Sequence, residues 1–411
     1  MAKQSIAFFF PYKEVSGCPV LFLNIANKIE DTCGGNYDLY LVDYEDGYMA
    51  KHLSPHKKIA LIPFSDGVPT TVGTDYLVMQ AYLPVAMRPE LKIASKTKVL
   101  LWMLHPMNFL PVVFPFNFLH GYIESNLAKY SNILQRYYPR QSELAKSFLL
   151  YMVENNGTVF MNRSDLPVIQ TLYNCPDISP QFIPIASSDA NIKKVFVNTD
   201  IINMGWVGRL CEFKISILNY TMKRAFDYAN CAQRKILFHV IGSGEEADKL
   251  FNQESDYFHI KKVGTIAKED LDKYLVENVD INFAMGTSVI ESAKLGVPSV
   301  KLDFSNSEVP DYYKFEWFSE AEGFDIGHMI GENEKEVGKS VSEIVCDFDE
   351  RKHSLSQEAI DHYEKFFSLG MVTKLLLEHL PTIKVTWGEI PDKFKRLGFT
   401  RKVYYKMKYK I

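Results

Sequence analysis

A short run of glycine and cationic residues in the second half of the chain has the composition of an anion-binding site. Gly208-Arg209-Leu210 follows an apolar stretch, and Lys214 comes soon after it. Guanidinium and ammonium groups form charge-assisted hydrogen bonds with phosphate oxygens. We therefore expect Arg209 and Lys214 to bind a diphosphate. The alternative is that both are surface cations at the junction of a strand and a helix.

A second segment, 285–298, predicts the other side of the same site. Gly286, Thr287 and Ser288 have the pattern of a glycine turn that starts a helix. Backbone N–H groups at a helix start attract phosphate oxygens, and a glycine allows close approach. Glu291, one turn into this helix, is placed to accept hydrogen bonds from ribose hydroxyls. Alternatively, it is an acid stabilised by the helix dipole.

These segments, taken in order, resemble the donor half of a nucleotide-sugar glycosyltransferase of the GT-B architecture, most closely the retaining family 4. Between them, a predicted strand ends in Gly242-Ser243-Gly244, and Val263-Gly264-Thr265-Ile266 follows. The resemblance covers residues 203–301. It implies transfer of a sugar from a nucleoside-diphosphate donor, and it adds further residues to the donor site: Gly208, Gly242, Gly264, Thr265 and Ile266.

One position departs from this family, which usually carries two glutamates, the first on the donor sugar and the second on the ribose. Glu291 matches the second glutamate, but Phe283 stands at the position of the first. The contact to the donor sugar must therefore differ. Whether the reaction retains or inverts the stereochemistry of the sugar therefore stays open.

Two residues of the first half of the chain are further candidates. Gly17 follows the first predicted strand, where the resemblance implies a glycine loop against the diphosphate, although Cys18 replaces the usual second glycine. His105 ends a predicted strand at the carboxyl edge of a sheet, where α/β proteins bind ligands. Its ordinary pKa suits a catalytic base if the reaction inverts. The alternative is a structural histidine beside Pro106.

Length and composition bound the class of protein. The 411 residues exceed the size at which one core usually keeps growing, so we expect two domains, 1–188 and 189–380, joined by a linker at 178–188 and followed by a tail at 381–411. A net charge of −4 argues against nucleic acid as a partner. The six cysteines lack a Cys-x-x-Cys pair, as is typical of reduced cytosolic thiols.

The apolar segments predict strands and loops, not a leader or a membrane helix. Residues 5–10 are too short for a signal peptide, and Pro11 ends them. Residues 99–122 are interrupted by Pro106 and Pro111, so a strand running into an apolar loop is expected instead of a membrane span. We therefore expect a cytoplasmic protein.

Alternating strand and helix patterns predict an α/β fold of two Rossmann-like domains, with parallel sheets facing a central cleft. Strands are expected at 6–10, 37–42, 59–63, 99–104, 158–161, 201–207, 236–241 and 279–284. Helices are expected at 18–29, 129–151, 216–229, 271–275, 334–348 and 356–380. The resemblance implies that the last of these helices crosses back onto the first domain.

Residues 393–411 alternate basic and aromatic side chains without an acidic residue. This composition suits an anionic membrane surface. The alternative is a solvated terminal helix packed on its own domain.

Three motifs imitate cofactor or metal sites. Residues 242–247 fit a dinucleotide fingerprint, but Lys261 and Lys262 stand where a nicotinamide enzyme needs an acid. The Asp-x-Asp pairs at 270–272 and 347–349 lie in or beside predicted helices, where residues two apart point to different faces. We expect neither a cofactor nor a metal requirement.

Together these features predict a glycosyltransferase that uses a nucleotide sugar and a glycan acceptor. Family analogy, the basic tail and the apolar loop at 106–118 extend this to a lipid-linked precursor of a bacterial surface polysaccharide, of the capsule or O-antigen type, made at the inner face of the plasma membrane. Two alternatives stay open. One is a nucleotide-sugar epimerase of the same fold, and the other is a non-catalytic glycan-binding scaffold, which Phe283 favours.

Overall fold

The computed structural model describes residues 3–105, 107–109, 127–175, 178–305, 308–330 and 337–396. The chain forms two compact units, one of Met1–Ala186 with Leu369–Ile411, and one of Ser187–Ser368. The first boundary falls within the predicted linker. The second boundary assigns the helix Leu369–His379 to the first unit, whereas the sequence placed a boundary at 380.

The first unit is built on a parallel sheet. Its strands are β1 (Gln4–Phe9), β2 (Tyr37–Asp43), β3 (Ile59–Pro63), β4 (Thr70–Val72), β5 (Tyr76–Gln80), β6 (Leu91–Ile93), β7 (Lys98–Met103), β8 (Thr158–Phe160) and β9 (Gln181–Phe182). Seven of them pair in the order β3-β2-β1-β5-β7-β8-β9, all parallel. The strands β4 and β6 form a separate parallel pair.

Helices cover both faces of this sheet, which is why its strands are nearly continuous apolar runs. One face buries Phe8 and Trp102 with Phe22, and the other buries Phe9 with Leu149. The α-helices are Gly17–Cys33, Tyr48–His52, Leu127–Tyr137, Pro139–Glu154, Asp165–Tyr173, Leu369–His379 and Asp392–Lys395, with 3-10 turns at Pro84–Ala86 and Leu380–Thr382.

The beginning of the predicted tail is part of the first unit's core. Ile383, Val385, Ile390 and Phe394 are buried, and the backbone N–H of Trp387 donates to the carbonyl of Thr97 at 2.7 Å. The frequent lysines of this segment masked its apolar positions in the sequence. Residues 397–411, which hold most of the predicted membrane-binding segment, lie outside the described residues.

The second unit has a six-stranded sheet in the order β12-β11-β10-β13-β14-β15, parallel except for the antiparallel edge strand β15. The strands are β10 (Ile201–Val207), β11 (Lys235–Ile241), β12 (Phe258–Gly264), β13 (Ile281–Ala284), β14 (Ser299–Lys301) and β15 (Glu316–Trp317). The helices are Glu212–Ala232, Lys268–Asn278, Thr287–Ala293 and Val341–Phe366, with 3-10 turns at Ala247–Lys249 and Phe318–Glu320.

The strand order of the second sheet reverses direction at β10, whose two neighbours are β11 and β13. In open α/β sheets, ligands bind beyond the carboxyl ends of the strands at such a switch point. The loops after β10 and β13 are those that carry Arg209 and Gly286. Strand order, which the sequence pattern did not give, therefore places the two predicted halves of the site side by side.

The predicted α/β class and the eight predicted strands are confirmed, but several elements were missed, among them the strand β5 and the helix Asp165–Tyr173. The strand β5 lies in the middle of the first sheet, between β1 and β7. Its five residues, four of them apolar, are too few for periodicity to separate strand from helix. The helix Asp165–Tyr173 was treated as part of a loop after β8.

Three predicted helices were wrong in their extent. Residues 129–151 form two helices, because Pro139 starts a new helix after Tyr138, whose backbone is not helical (φ −132°, ψ 43°). The helix predicted from 334 begins at Val341, where Ser340 and Glu343 form a capping box. It continues through a kink to Phe366, and a separate helix follows it.

In the part of the chain that the structure describes, none of the helices is both long and apolar enough to cross a bilayer. Of the apolar segment 99–122, the portion up to Met103 is the buried strand β7. Position 106 and residues 110–126 lie outside the described residues, so the predicted apolar loop is not tested.

Asp165 provides a test of how burial affects stability. Its side chain is 3% exposed, and its Oδ2 has no hydrogen-bond partner. Burial raises the pKa of this carboxyl to about 8. Because the folded-state pKa lies above the ordinary value, the protein binds a proton on folding, and stability is lost as the pH rises from about 4 towards 8.

We expect Asp165→Asn, which keeps the shape and removes the titration, to flatten this dependence. Between pH 5 and 8 the wild type should lose several degrees of unfolding temperature more than the variant, since 1 kcal/mol corresponds to about 2–4 °C in a protein of this size class. The exposed Asp38→Asn is the control and should follow the wild type. Parallel curves for wild type and Asp165→Asn in thermal unfolding would contradict this prediction.

Candidate functional site

The loops at the carboxyl ends of β12, β11 and β10 are joined by backbone hydrogen bonds. The N–H of Gly242 donates to the carbonyl of Gly264 at 2.8 Å, and the N–H of Gly208 donates to the carbonyl of Ile241 at 3.0 Å. The N–H of Leu210 donates to the carbonyl of Ser243, also at 3.0 Å. Three segments that the sequence predicted for one site therefore form a continuous edge.

Two glycines are required for this arrangement. Gly242 has φ +135°, and a Cβ there would overlap the carbonyl oxygen of Gly208. A Cβ on Gly244 would overlap the carbonyl oxygen of Leu210. The Gly-x-Gly pattern thus serves the packing of one loop against the next, which accounts for it without a dinucleotide.

Arg209 and Lys214 are two cations with little matching negative charge. The Arg209 side chain is 71% exposed, and Glu245 lies 4.0 Å from it. Burial lowers the pKa of the Lys214 ammonium, the nearby Cys211 opposes this, and the charge of Arg209 adds to it. Within the described ranges, the Lys214 Nζ contacts the ring of Phe213 but forms no ion pair. An anion bound between the two cations would relieve their repulsion.

Side chains of the neighbouring loops add polar groups to this edge. The hydroxyls of Ser243 and Thr265 are 2.8 Å apart and are exposed. Ile266, also predicted at the donor, instead packs partly against Leu275 and Val279 in the core. The edge therefore offers hydroxyls beside cations, with an apolar residue behind them.

The segment around Gly286 differs in detail from the prediction. Gly286 adopts φ +63°, as a glycine turn would, but its N–H donates to the carbonyl of Ile326 at 2.7 Å. A phosphate would therefore meet the backbone of Thr287 and Ser288. The helix that follows has only seven residues, so its dipole contributes little.

Glu291 has protein partners for both carboxylate oxygens. Its Oε1 accepts a hydrogen bond from the Ser187 hydroxyl at 2.8 Å, and its Oε2 lies 2.5 Å from the Lys294 Nζ. Lys294 is 3% exposed, and Asp272 also pairs with it at 3.3 Å. Glu291 is therefore the counter-ion of a buried lysine, whether or not it also accepts a hydrogen bond from a ribose.

Phe283 is a core residue. It is completely buried on β13, where its ring stacks on Phe238 with centroids 6.4 Å apart and meets the edge of Phe315 at 5.6 Å. A glutamate at this position would be buried among aromatic rings. The phenylalanine that stands in place of the usual glutamate is therefore part of the core of this unit.

A charged cluster at the end of β14 was not predicted from the sequence. The Lys301 Nζ is 3% exposed and lies 3.2 Å from Asp303, 3.2 Å from Glu316 and 2.7 Å from Asp325. The His328 Nδ1 lies 3.1 Å from Asp303 and 3.2 Å from Asp325. Lys301 and Glu316 lie on the paired strands β14 and β15, Asp303 follows β14, and Asp325 and His328 lie together in a later loop. The only sequence signal is a lysine that ends an apolar strand.

The charges of this cluster stabilise one another. Burial alone would lower the pKa of His328, but its hydrogen bond to Asp325 and the charge of Asp303 outweigh burial and raise that pKa to about 9. Burial is likewise outweighed at Asp325, where His328 and Lys301 hold the carboxyl pKa well below its usual range. Asp325 and His328 are therefore both charged at neutral pH.

In the first unit, Gly17 and His105 lie beyond different strands. Gly17 starts the helix after β1, at the switch point between β1 and β5, and has open space around its Cα. His105 follows β7, is exposed, and accepts a hydrogen bond from the N–H of Met107 at its Nδ1. The structure does not bring these two residues to adjacent strands.

The two Asp-x-Asp pairs lie in helices, as predicted, and their carboxylates contact protein groups. Asp272 pairs with Lys294, as described above, and Asp347 accepts a hydrogen bond from the indole of Trp317 at 2.9 Å. Asp349 pairs with Arg234 at 3.1 Å. These contacts give both pairs a structural role.

The contacts of Glu291 predict a loss of stability when it is removed. Glu291→Ala leaves the buried Lys294 with Asp272 alone and should lower the free energy of unfolding by about 2 kcal/mol, less than the 3–5 kcal/mol of a fully broken buried pair. The matched control is Glu277→Ala, whose exposed pair with Lys273 spans 4.0 Å. It should cost at most about 0.5 kcal/mol. Equal losses in denaturant unfolding would show that Lys294 does not depend on Glu291.

Comparison with known proteins adds evidence on the fold. No protein-family profile and no curated protein sequence matches the chain. A glycosyltransferase from Rickettsia africae ESF-5 has a similar structure, with a TM-score of 0.51 and 11% identity over 93% of this chain and 99% of that one.

Two further solved structures give TM-scores below this. They are WaaB, a lipopolysaccharide outer core galactosyltransferase (0.48, 10% identity, 92% and 99% covered), and Anabaena HepE in complex with UDP and glucose (0.46, 12%, 92% and 100%). The likeness to the Rickettsia protein spans both units, each with its own parallel sheet, and confirms the predicted α/β fold of the GT-B type.

Proposed function

We propose that this protein is a glycosyltransferase that transfers a sugar from a nucleoside-diphosphate donor to a glycan acceptor. The observation that carries the proposal is the pair Arg209 and Lys214 at the switch point of the second sheet. The Arg209 guanidinium lies 4.0 Å from the Glu245 carboxylate, and within the described residues the Lys214 ammonium forms no ion pair, so the two cations can bind an anion. A diphosphate has the charge and length to bind both.

The same residues would serve the chemistry of transfer. When the bond between sugar and diphosphate breaks, negative charge builds on the leaving diphosphate. Arg209 and Lys214 would stabilise that charge. The joined loops set the backbone beside Arg209, and the Lys214 ammonium packs on the ring of Phe213. Because two side-chain cations supply this charge, we propose that the enzyme needs no metal ion.

The remaining donor contacts are proposed from their positions on the same edge. Thr265 and Ser243 present hydroxyls, Gly208 and Gly286 bring backbone close, and Glu291 has lone pairs left for a ribose hydroxyl. The acceptor would bind to the first unit, near Gly17 and His105. If the reaction inverts, His105 is the proposed base, because its ring follows a strand at the carboxyl edge.

The fold supports this activity without proving it. The Rickettsia africae protein of similar structure is named a glycosyltransferase. One fold can serve many activities, so the proposal rests on the site. Among alternatives, the non-catalytic scaffold is favoured by the burial of Phe283, and an epimerase would use the same diphosphate site without an acceptor.

A finer proposal concerns the acceptor and the location. The basic and aromatic residues after Arg396 suit an anionic bilayer surface, where each cation contributes about 1 kcal/mol. We therefore propose that the acceptor is a lipid-linked precursor of a surface polysaccharide, of the capsule or O-antigen type. The enzyme would act in the cytoplasm, bound peripherally to the inner face of the plasma membrane.

Nucleotide binding tests the site. Calorimetric titration of the wild type with UDP, GDP and dTDP should reveal one preferred diphosphate. Arg209→Ala and Lys214→Ala should each weaken its binding about ten-fold or more, as loss of a charge-assisted hydrogen bond predicts. Lys223→Ala removes an exposed cation further along the same helix and should bind like the wild type.

The outcomes separate the alternatives. Wild-type affinity in both Arg209→Ala and Lys214→Ala would remove the proposed site. A new sugar nucleotide formed from the donor without any acceptor would identify an epimerase. Donor binding with no release of diphosphate across a panel of glycan acceptors would favour the scaffold.

Vesicle binding tests the C-terminal segment. A chain that ends at Arg396 keeps the buried Phe394 and loses five cations, Arg401, Lys402, Lys406, Lys408 and Lys410. Its binding to phosphatidylglycerol vesicles in sedimentation should fall by roughly ten-fold or more. Neutral phosphatidylcholine vesicles are the control and should bind both chains weakly. Equal binding of the two chains to anionic vesicles would end the membrane proposal.

A further inference from the structure

The charged cluster at the end of β14 lies beside the proposed donor loops. The carbonyl of His328 accepts the N–H of Phe304 at 2.8 Å, and the ring of Phe304 meets that of Phe213, next to Lys214, at 5.8 Å. Ile326 accepts the N–H of Gly286, as described above. The cluster therefore borders both the segment that carries Arg209 and Lys214 and the turn at Gly286.

Its polar groups are partly accessible. The side chains of Asp325 and His328 are 21% and 32% exposed, while Lys301 behind them is almost fully buried. Asp303 holds its place through the Tyr313 hydroxyl, which accepts the Asp303 N–H at 3.0 Å. Burying an ammonium is costly unless it is well paired, so the pairs to Lys301 fix the carboxylates in position.

The proposed reaction needs a polar contact for the donor sugar, and Phe283 cannot supply it. A phenylalanine inside the core offers no hydrogen bond, and its ring is held by Phe238 and Phe315. The next strand along the sheet is β14, and the carboxylates at its end are the polar groups adjacent to the glycine turn.

We propose that Asp303, Asp325 and His328 bind the hydroxyl groups of the donor's sugar and select an uncharged sugar. This inference rests on the proposed function. Carboxylates accept hydrogen bonds from sugar hydroxyls, and each oxygen has two lone pairs. The Asp303 Oδ2 accepts the Tyr313 hydroxyl at 3.3 Å and the Asp325 Oδ1 accepts the Gly327 N–H at 3.0 Å, which leaves each of these oxygens one lone pair for a sugar hydroxyl. The three carboxylates of the cluster, Glu316 included, exceed the two cations Lys301 and His328 by one negative charge. A uronic acid would therefore be repelled.

The same geometry argues for hydroxyls and against a metal ion as the ligand. Asp303, Asp325 and His328 have atoms close enough together to bind a cation. However, the Lys301 ammonium already lies 2.7 Å from Asp325 and 3.2 Å from Asp303. A divalent ion on these oxygens would stand next to that ammonium and be repelled by it.

The test compares neutral with acidic sugars on one nucleotide. By titration calorimetry, the wild type should bind UDP-glucose at least about ten-fold more tightly than UDP-glucuronate, or GDP-mannose more tightly than GDP-mannuronate if guanine is the base. His328→Gln should raise the Kd of the neutral nucleotide sugar about ten-fold and leave the Kd of the nucleoside diphosphate within about two-fold. The wild-type comparison needs no variant and is independent of folding.

The exposed His259 lies at the amino-terminal end of β12, so His259→Gln is the matched control and should bind both ligands like the wild type. If the nucleoside diphosphate does not bind the wild type, the inference falls together with the proposed function. If it binds, but the uronate binds as tightly as the neutral sugar, only the inference falls. An equal loss of diphosphate and nucleotide-sugar binding in His328→Gln would also overturn it.

Discussion

The second unit depends on how closely three loops approach one another at the carboxyl edge of its sheet. Gly208, Gly242 and Gly264 are joined through backbone hydrogen bonds, and Gly242 sits where any side chain would overlap its neighbour. This contact fixes the start of the helix that carries Lys214 and the turn that carries Arg209. The backbone positions of these two cationic residues are therefore set by the contacts between the loops.

The ends of strands β10 and β14 differ in how their charged side chains are paired. After β10, the cations Arg209 and Lys214 have little negative charge near them. After β14, Lys301 is buried and compensated by the carboxylates of Asp303, Glu316 and Asp325. A molecule that carries a diphosphate at one end and hydroxyls at the other would match the cations after β10 and the carboxylates after β14. The proposed nucleotide sugar has that arrangement.

Glu291 illustrates why a motif residue should be judged by its contacts. Its place in a helix before Gly-Val-Pro matches a ribose-binding glutamate, yet it also neutralises the buried Lys294. Such a residue can be required for folding and for binding at once. A loss of activity on its removal would not by itself distinguish the two roles, because an unpaired buried ammonium destabilises the whole unit.

The sequence by itself determined the α/β class, most strands, and the run of segments from Gly208 to Glu291, because local periodicity and glycine turns are local properties. It did not find β5, whose five residues carry no period, or the kink and cap that set the ends of Val341–Phe366. Only the tertiary structure decided that Phe283 is core and that Lys301, Asp303, Asp325 and His328 meet. Those contacts depend on strand order and on loops distant in sequence, which no local pattern encodes.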